Sequence, residues 1–381
     1  MTDEDVCRFA DEIISGKMLS EDEIRSILKI QDPESLRKLY LAARTVRDHF
    51  FSNKVFLYSF VYFSTYCRNK CAFCYYRTDN KISRYRLTPD ELRDMCRRIR
   101  NEGVHMIDLT MGEDPHFRNH PENLVEFVRI AKEESGLPVM VSPGVIDDGF
   151  IRLLKEAGAD FFALYQETHD RDLFKALRTG QDFDERAHAR TAAKKAGLCI
   201  EDGILSGTGR TPEEEIDADT ASILAMIPQN PDQVRAMTFE PQPGTPLEKQ
   251  AQAPYLYELK IISALRLVFP DRLIPASLDV AGIPGMVERL NAGANVVTSI
   301  IASDSSLEGV VNFDKDVGLY ERQRDAASVI AKLHEMNMVP GTQAEFEEYL
   351  RKSSERKCAA RPEKSGDGKN GCEMTEKECS A

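Results

Sequence analysis

The chain has 381 residues, enough for one large barrel or two ordinary domains and for a core that needs no disulfides. Its 50 basic and 63 acidic residues leave a net charge of −13, which argues against a protein that holds nucleic acid or an anionic membrane by bulk charge and points to small-molecule chemistry. No N-terminal export signal is legible and no apolar run approaches the roughly 20 residues that span a bilayer, so a cytoplasmic location is expected.

In chain order, residues 1–28 read as an amphipathic acidic helix, with Val6, Phe9, Ile13 and Ile14 at helical spacing, and residues 34–48 as a second helix after Asp32-Pro33. Together they predict an N-terminal helical cap over residues 1–50. Runs rich in β-branched and aromatic residues then recur at 55–63, 104–110, 138–142, 161–165, 198–203, 235–239, 273–277 and 295–299. Helical patterns fall between them, for example 89–101 with Leu92, Met95, Cys96 and Ile99 on one face, 184–196, and 257–268 ending at Pro270. Alternating β and α units of this number predict an α/β fold, a (βα)8 TIM-type barrel over residues 51–305. Periodicity does not show closure, so an open doubly wound sheet is the alternative. Residues 306–352 are expected to supply C-terminal helices, 314–338 and 342–352, that pack on the barrel, and the polar stretch 353–381 is expected to be disordered.

Nine cysteines, an odd number, argue for ligands and core fillers and not for a disulfide framework. The sharpest feature is Cys67-Arg-Asn-Lys-Cys71-Ala-Phe-Cys74, directly after the first predicted strand and so at the barrel end where active sites form. Cysteines at spacings of four and three, with no fourth nearby, suit a [4Fe–4S] cluster that keeps one iron open to a small molecule. A zinc site would need a further ligand such as His105 from another strand. A chance gathering of buried thiols is the remaining alternative. Cys96 and Cys199 fall at core positions, Cys7 is expected to be buried on the first helix, and Cys358, Cys372 and Cys379 lie in the polar tail.

Polar residues collect at the predicted strand ends. The second strand runs through Asp108 into Met111-Gly112-Glu113-Asp114, and the fourth into Tyr165-Gln166-Glu167-Thr168, followed by Arg178, Arg186 and Arg190. A carboxylate and several guanidinium groups in one βα unit suit a zwitterionic ligand. Arg235 on the sixth strand, Ser277 and Asp279 on one side of the seventh, and Thr298 and Ser299 on the eighth are candidates for a charged substrate, since a charge in a barrel lumen is costly unless paired.

The cysteine spacing, with Phe73 just before the third cysteine, resembles the radical S-adenosylmethionine (SAM) superfamily. There the open iron chelates SAM, and one-electron cleavage yields a 5′-deoxyadenosyl radical. Glu167-Thr168, Leu177-Arg178 and Phe183-Asp-Glu-Arg186, in this order, resemble the biotin synthase and hydrogenase-maturase branch. The resemblance implies a cluster on Cys67, Cys71 and Cys74 and SAM contacts at Phe73, Glu113, Ser142, Glu167, Arg178, Arg186 and Arg190. Longer segments tighten it: Ala163-Leu-Tyr-Gln-Glu-Thr, Glu201-Asp-Gly-Ile-Leu, Leu273-Ile-Pro-Ala-Ser-Leu-Asp and Leu290-Asn-Ala-Gly-Ala-Asn are similar to the methylornithine synthase family of pyrrolysine biosynthesis. That implies an isomerase converting L-lysine to (3R)-3-methyl-D-ornithine by fragmenting and rejoining the carbon skeleton, with Asp108, Arg235, Ser277, Asp279, Thr298 and Ser299 as substrate contacts. A low-potential electron donor such as flavodoxin or ferredoxin is the implied partner. The rival readings are another reaction of the same branch, and a non-catalytic iron–sulfur or zinc-binding scaffold.

Overall fold

The computed structural model describes residues 3–209, 211–302 and 324–356. It opens with helices α1 (Asp3–Ile14), α2 (Glu21–Lys29) and α3 (Pro33–Phe51). The single helix expected over 1–28 is two, because Gly16 turns the chain at φ +101° and a reciprocal cap between Ser20 and Glu23 starts α2 afresh. Cys7 is exposed, contrary to expectation: Val6, Ala10 and Ile13 form the buried stripe of α1, and Cys7 lies off it.

The alternating units then follow: β1 (Lys54–Ser64), α4 (Pro89–Ile99), β2 (Met106–Met111), α5 (Pro115–Asn119), α6 (Pro121–Ser135), β3 (Val139–Ser142), α7 (Asp148–Glu156) and β4 (Phe161–Ala163). Next come α8 (Arg171–Leu177), α9 (Phe183–Lys195), β5 (Cys199–Ser206), α10 (Pro212–Met226), β6 (Gln233–Thr238), α11 (Tyr255–Val268), β7 (Pro275–Ser277), α12 (Gly282–Asn291) and β8 (Val296–Ile300). Each predicted strand is present, and all pair in parallel in the order β6-β5-β4-β3-β2-β1-β8-β7. That cyclic order is a barrel's; an open doubly wound sheet reverses direction at a switch point.

Closure is nearly complete. β6 and β7 meet through one bridge, Gln233 with Leu273, at their N-terminal ends. Above it side chains span the gap: Thr238 of β6 donates to Glu258 of α11 at 2.5 Å, and Arg289 of α12 donates to Glu258 at 2.5 Å and to the Ser277 carbonyl of β7 at 2.7 Å.

The C-terminal segment supplies α13 (Ala326–Glu335), β9 (Val339–Pro340), which pairs with the start of β1, and α14 (Gln343–Ser354). Residues 314–323 of the expected helix lie outside the described residues, as do residues 357–381 with the tail cysteines. α14 plugs the lower barrel mouth: Phe346 and Leu350 join Phe56, Tyr58, Met106, Met140, Phe161 and Val296 in an apolar cluster that fills the N-terminal half of the lumen. Cys199 belongs to it, and its thiol faces the Leu350 carbonyl at 3.6 Å. Among the described residues no helix is long and apolar enough to cross a membrane.

Arg266 of α11 ties the lower ends of the last strands together. Fully buried, it donates to the carbonyls of Gly293 (2.9 Å), Pro270 (2.9 Å) and Arg272 (2.8 Å) and to Asn295 Oδ1 (2.8 Å), which also accepts from Ile274 N. Replacing it by Met keeps the volume but orphans these buried acceptors. Arg266→Met should destabilise the fold by about 3 kcal/mol. In thermal melts of the apoprotein, a Tm equal to that of the wild type would remove this role.

Candidate active site

The cysteine loop leaves β1 at the open end of the barrel and is stitched to three neighbours by backbone hydrogen bonds. Arg68 N donates to Glu113 O at 3.0 Å, Ala72 N to Leu177 O at 2.7 Å, and Leu247 N to Ala72 O at 3.3 Å. The turn after β2 approaches it so closely that a Cβ on Gly112 would lie 2.3 Å from Tyr66 O and 2.8 Å from Cys67 Cβ. Only glycine fits there. Asp114 anchors the loop's return: it accepts from Ser64 Oγ at 2.5 Å and bidentately from Arg86 at 2.8 and 2.9 Å. Cys67, Cys71 and Cys74 are free thiols, and burial pushes the thiols of Cys67 and Cys74 up, away from ionisation. His105, the further ligand a zinc site would need, is at the other end of the barrel. Its Nδ1 accepts from Leu57 N at 2.9 Å and its Nε2 meets Gly341 O at 2.7 Å, so neither nitrogen is available to the cysteines.

Beside the cysteines lies a group of charges from two βα units, the second and the fourth. Arg178 packs over the Phe73 ring at 5.6 Å and donates to Glu167 Oε1 at 2.5 Å and Gln181 Oε1 at 3.2 Å. Arg186 donates to the same Gln181 oxygen at 3.1 Å, to Glu113 Oε1 at 3.3 Å, and to Tyr165 O at 2.7 Å. With two guanidinium groups on its oxygen, the Gln181 amide must turn its NH2 outward, and Nε2 lies 3.0 Å from Cys71 Sγ. Burial raises the Glu167 carboxyl despite Arg178 and Arg186, whereas burial and the neighbouring Arg178 lower Arg186. Ser142, at the end of β3, donates to Ala163 O at 3.1 Å.

Arg190 has partners elsewhere. Its guanidinium pairs with Asp202 at 3.1 Å and donates to Leu164 O and Gln166 Oε1, both at 2.9 Å. Asp202 also accepts from Gln166 N at 2.7 Å and Gly203 N at 2.8 Å, and pairs with His169 at 3.1 Å. Burial would raise its carboxyl, but Arg190 and His169 more than offset that and hold it well below the usual range. This network flanks Glu167, whose backbone is held at φ +70°, a conformation a non-glycine residue rarely adopts.

Deeper in the lumen lies the second charged group. Arg235 Nε donates to Glu201 Oε1 at 2.7 Å, Tyr165 OH donates to Glu201 Oε2 at 3.0 Å, and Arg235 Nη1 lies 3.4 Å from Thr298 Oγ1. Asp108 accepts from Thr110 at 2.9 Å, and burial pushes its carboxyl up to about 7 against the pull of Arg235. Asp279 accepts from Ser277 at 2.8 Å, Ser299 at 2.7 Å and Arg324 at 3.1 Å. Burial would raise it too, but Arg324 and the two hydroxyls leave it below the usual carboxylate range. Tyr165 joins the two groups, with its carbonyl on Arg186 and its ring 5.4 Å from the Arg235 guanidinium. Glu201, Gln181 and Arg324 were not among the sequence candidates. Adjacent acids in an apolar strand, Glu201-Asp202, were the available signal for the first; Gln181 and Arg324 give none.

The residues present fit a cluster and an ionic cofactor. Buried Glu167 Oε2 and Arg178 Nε, beside the cysteines, have no hydrogen-bond partner among the described residues. Cysteines whose ionisation burial opposes become thiolates when iron takes them. Arg235 Nη2 and Gln233 Nε2 are likewise unpartnered in the lumen.

Comparison with known proteins agrees with this chemistry. Residues 61–221 match the family model of the radical SAM superfamily. A 3-methylornithine synthase of Methanosarcina acetivorans is 54% identical over 351 residues, spanning 92% of this chain and 99% of that protein. The crystal structure of methylornithine synthase (PylB) superposes with a TM-score of 0.85 at 52% identity, covering 90% of this chain and 99% of that one. The [FeFe] hydrogenase maturase subunit HydE of Thermotoga maritima is 30% identical over 289 residues, 75% of this chain and 81% of that protein. The chain is thus a radical SAM protein, built for a [4Fe–4S] cluster and SAM, and it belongs to the 3-methylornithine synthase family.

Proposed function

We propose that this enzyme isomerises L-lysine to (3R)-3-methyl-D-ornithine, an intramolecular carbon-skeleton rearrangement that opens pyrrolysine biosynthesis. The observation that carries the reading is the lumen's charge pattern. Lysine has one carboxylate and two ammonium groups, and the lumen offers a guanidinium with an unpartnered Nη2, Arg235, and two separate carboxylates, Asp108 and Asp279. Cys67, Cys71 and Cys74 hold the cluster, and Phe73, Glu113, Ser142, Glu167, Arg178 and Arg186 contact SAM. Arg190 positions Glu167 through Asp202 and Gln166.

Bound cluster and SAM supply the hydrogen-abstracting chemistry that no side chain provides. The chain's own residues orient and confine. Arg235, fixed by Glu201, takes the substrate carboxylate. Asp279, with Ser277 and Ser299, takes the α-ammonium, and Asp108 takes the distal one, with Thr298 completing the wall. Anchors at both ends keep the pieces of a broken skeleton in register until they rejoin, and the apolar plug below excludes water. A further sulfur-inserting chemistry of the biotin synthase kind finds little support, since Cys199 is sealed within the plug. The reductant is proposed to be a low-potential carrier such as flavodoxin or ferredoxin, and the location the cytoplasm.

Reconstituted protein incubated anaerobically with reductant, SAM and isotope-labelled L-lysine should yield labelled methylornithine by mass spectrometry. Deoxyadenosine without that isomer would reject lysine as the substrate. Cys71→Ala should abolish SAM cleavage, and normal cleavage by that variant would contradict its role as an iron ligand.

Asp108 gives a second test. Half-protonated near pH 7 when the site is free, it must ionise to hold an ammonium, so lysine binding expels a proton below that pH. Affinity should therefore rise about tenfold per pH unit up to about 7 and flatten above it. Asp108→Asn should bind more weakly with a flat profile. Calorimetric titrations giving the same slope for both proteins would assign the proton elsewhere.

A further inference from the structure

The cysteine loop carries a charge opposite to that of the chain. Residues 66–88 hold Arg68, Lys70, Arg77, Lys81, Arg84 and Arg86 against one acid, Asp79, in a protein whose net charge is −13. Some of these cations are neutralised locally: Arg68 pairs with Glu113 at 3.3 Å, Arg77 with Asp79 at 2.5 Å, and Arg86 with Asp114 at 2.8 Å. Arg84 is spent on structure. It donates to the carbonyls of Thr65 (2.5 Å), Tyr76 (3.2 Å) and Arg77 (2.8 Å), drawing the loop into a compact body. Lys70 and Lys81 have no ion pair among the described residues, and both are exposed. Thr78 N donates to Asn69 O at 2.8 Å, which brings the stretch leading to Lys81 against the one bearing Lys70. Tyr66, exposed and stacked on Arg86 at 4.6 Å, adds an aromatic beside Cys67.

We infer that this face, centred on Lys70 and Lys81, is the docking surface for an acidic one-electron carrier protein. Lys70 lies between Cys67 and Cys71, so a partner held there sits beside the loop that would hold the cluster. Two exposed lysines without an ion-pair partner among the described residues, Lys70 sharing only the field of Asp79, which is paired with Arg77, suit a transient contact that steers encounter by charge and releases quickly, as electron-transfer partners require. A polyanion such as nucleic acid would also feel these charges, but it has no use for a position beside that loop. The inference rests on the proposed need for a protein reductant, though not on lysine as the substrate.

The test follows cluster reduction directly. Reconstituted holoenzyme is mixed anaerobically with flavodoxin hydroquinone, and reduction of the [4Fe–4S] cluster is followed by freeze-quench EPR at low and high salt. The wild-type rate should fall steeply with salt. K70E/K81E should be slower by about tenfold at low salt and nearly salt-independent, and K81E alone, outside the cysteine motif, should show part of the effect. Dithionite, which needs no docking, should reduce all three proteins to the same extent, and iron content should be equal. Flavodoxin rates equal to wild type in K81E and in K70E/K81E would overturn the inference, as would equal slowing with dithionite in K81E. Because the readout is cluster reduction and not turnover, a wrong substrate assignment leaves the result unaffected.

Discussion

A guanidinium inside a protein must find a counter-charge or a full set of hydrogen-bond acceptors or be destabilising by several kcal/mol, and Arg235, which meets a carboxylate, makes that constraint the organising fact of this barrel. Glu201 answers it at 2.7 Å, Tyr165 steadies Glu201 from the other oxygen, and Thr298 sits across the lumen. The apolar plug below leaves no water to solvate the pair from that side. The lumen is consequently divided by height, hydrocarbon at the bottom and fixed charge at the top. Charges fixed before the ligand arrives need not reorganise during reaction, which is where a preorganised site gains over water.

The division also explains how the upper shell is held. Tyr165 belongs to both charged groups, so the position of the arginines near the cysteines and that of the Arg235–Glu201 pair are linked through one residue. Behind it, Asp202 gathers two backbone amides, a histidine and an arginine, and the chain through Glu167 is held in a left-handed turn that its own sequence does not favour. Neighbouring acids on one strand thus serve opposite faces: Glu201 addresses the lumen and Asp202 the helices.

Much of this was legible in the sequence, for identifiable reasons. Parallel strands covered on both sides read as continuous apolar runs, and each of the eight was found within a few residues of its observed bounds. The cysteines are local in sequence and need no fold to be recognised. What escaped depends on contacts across the fold. Arg190 follows the expected motif, but the acid it pairs with is one strand away. Arg324 reaches Asp279 from beyond the last barrel strand, and no local pattern announces that pairing. The break at Gly16 was hidden because α1 and α2 are both acidic and amphipathic, so the two looked like one.

The clasp between β6 and β7 has a mechanical consequence. Seven strand interfaces of the barrel are joined by main-chain ladders, while the eighth is joined above its single bridge by Thr238, Glu258 and Arg289. Parting a ladder breaks backbone hydrogen bonds along its whole length; loosening a clasp rotates a few side chains. The wall is therefore most compliant along this seam, which runs between Arg235 on β6 and Ser277 on β7. A slight spreading there would widen the chamber between Arg235 and Ser277 without disturbing β1, the strand that leads into the cysteine loop.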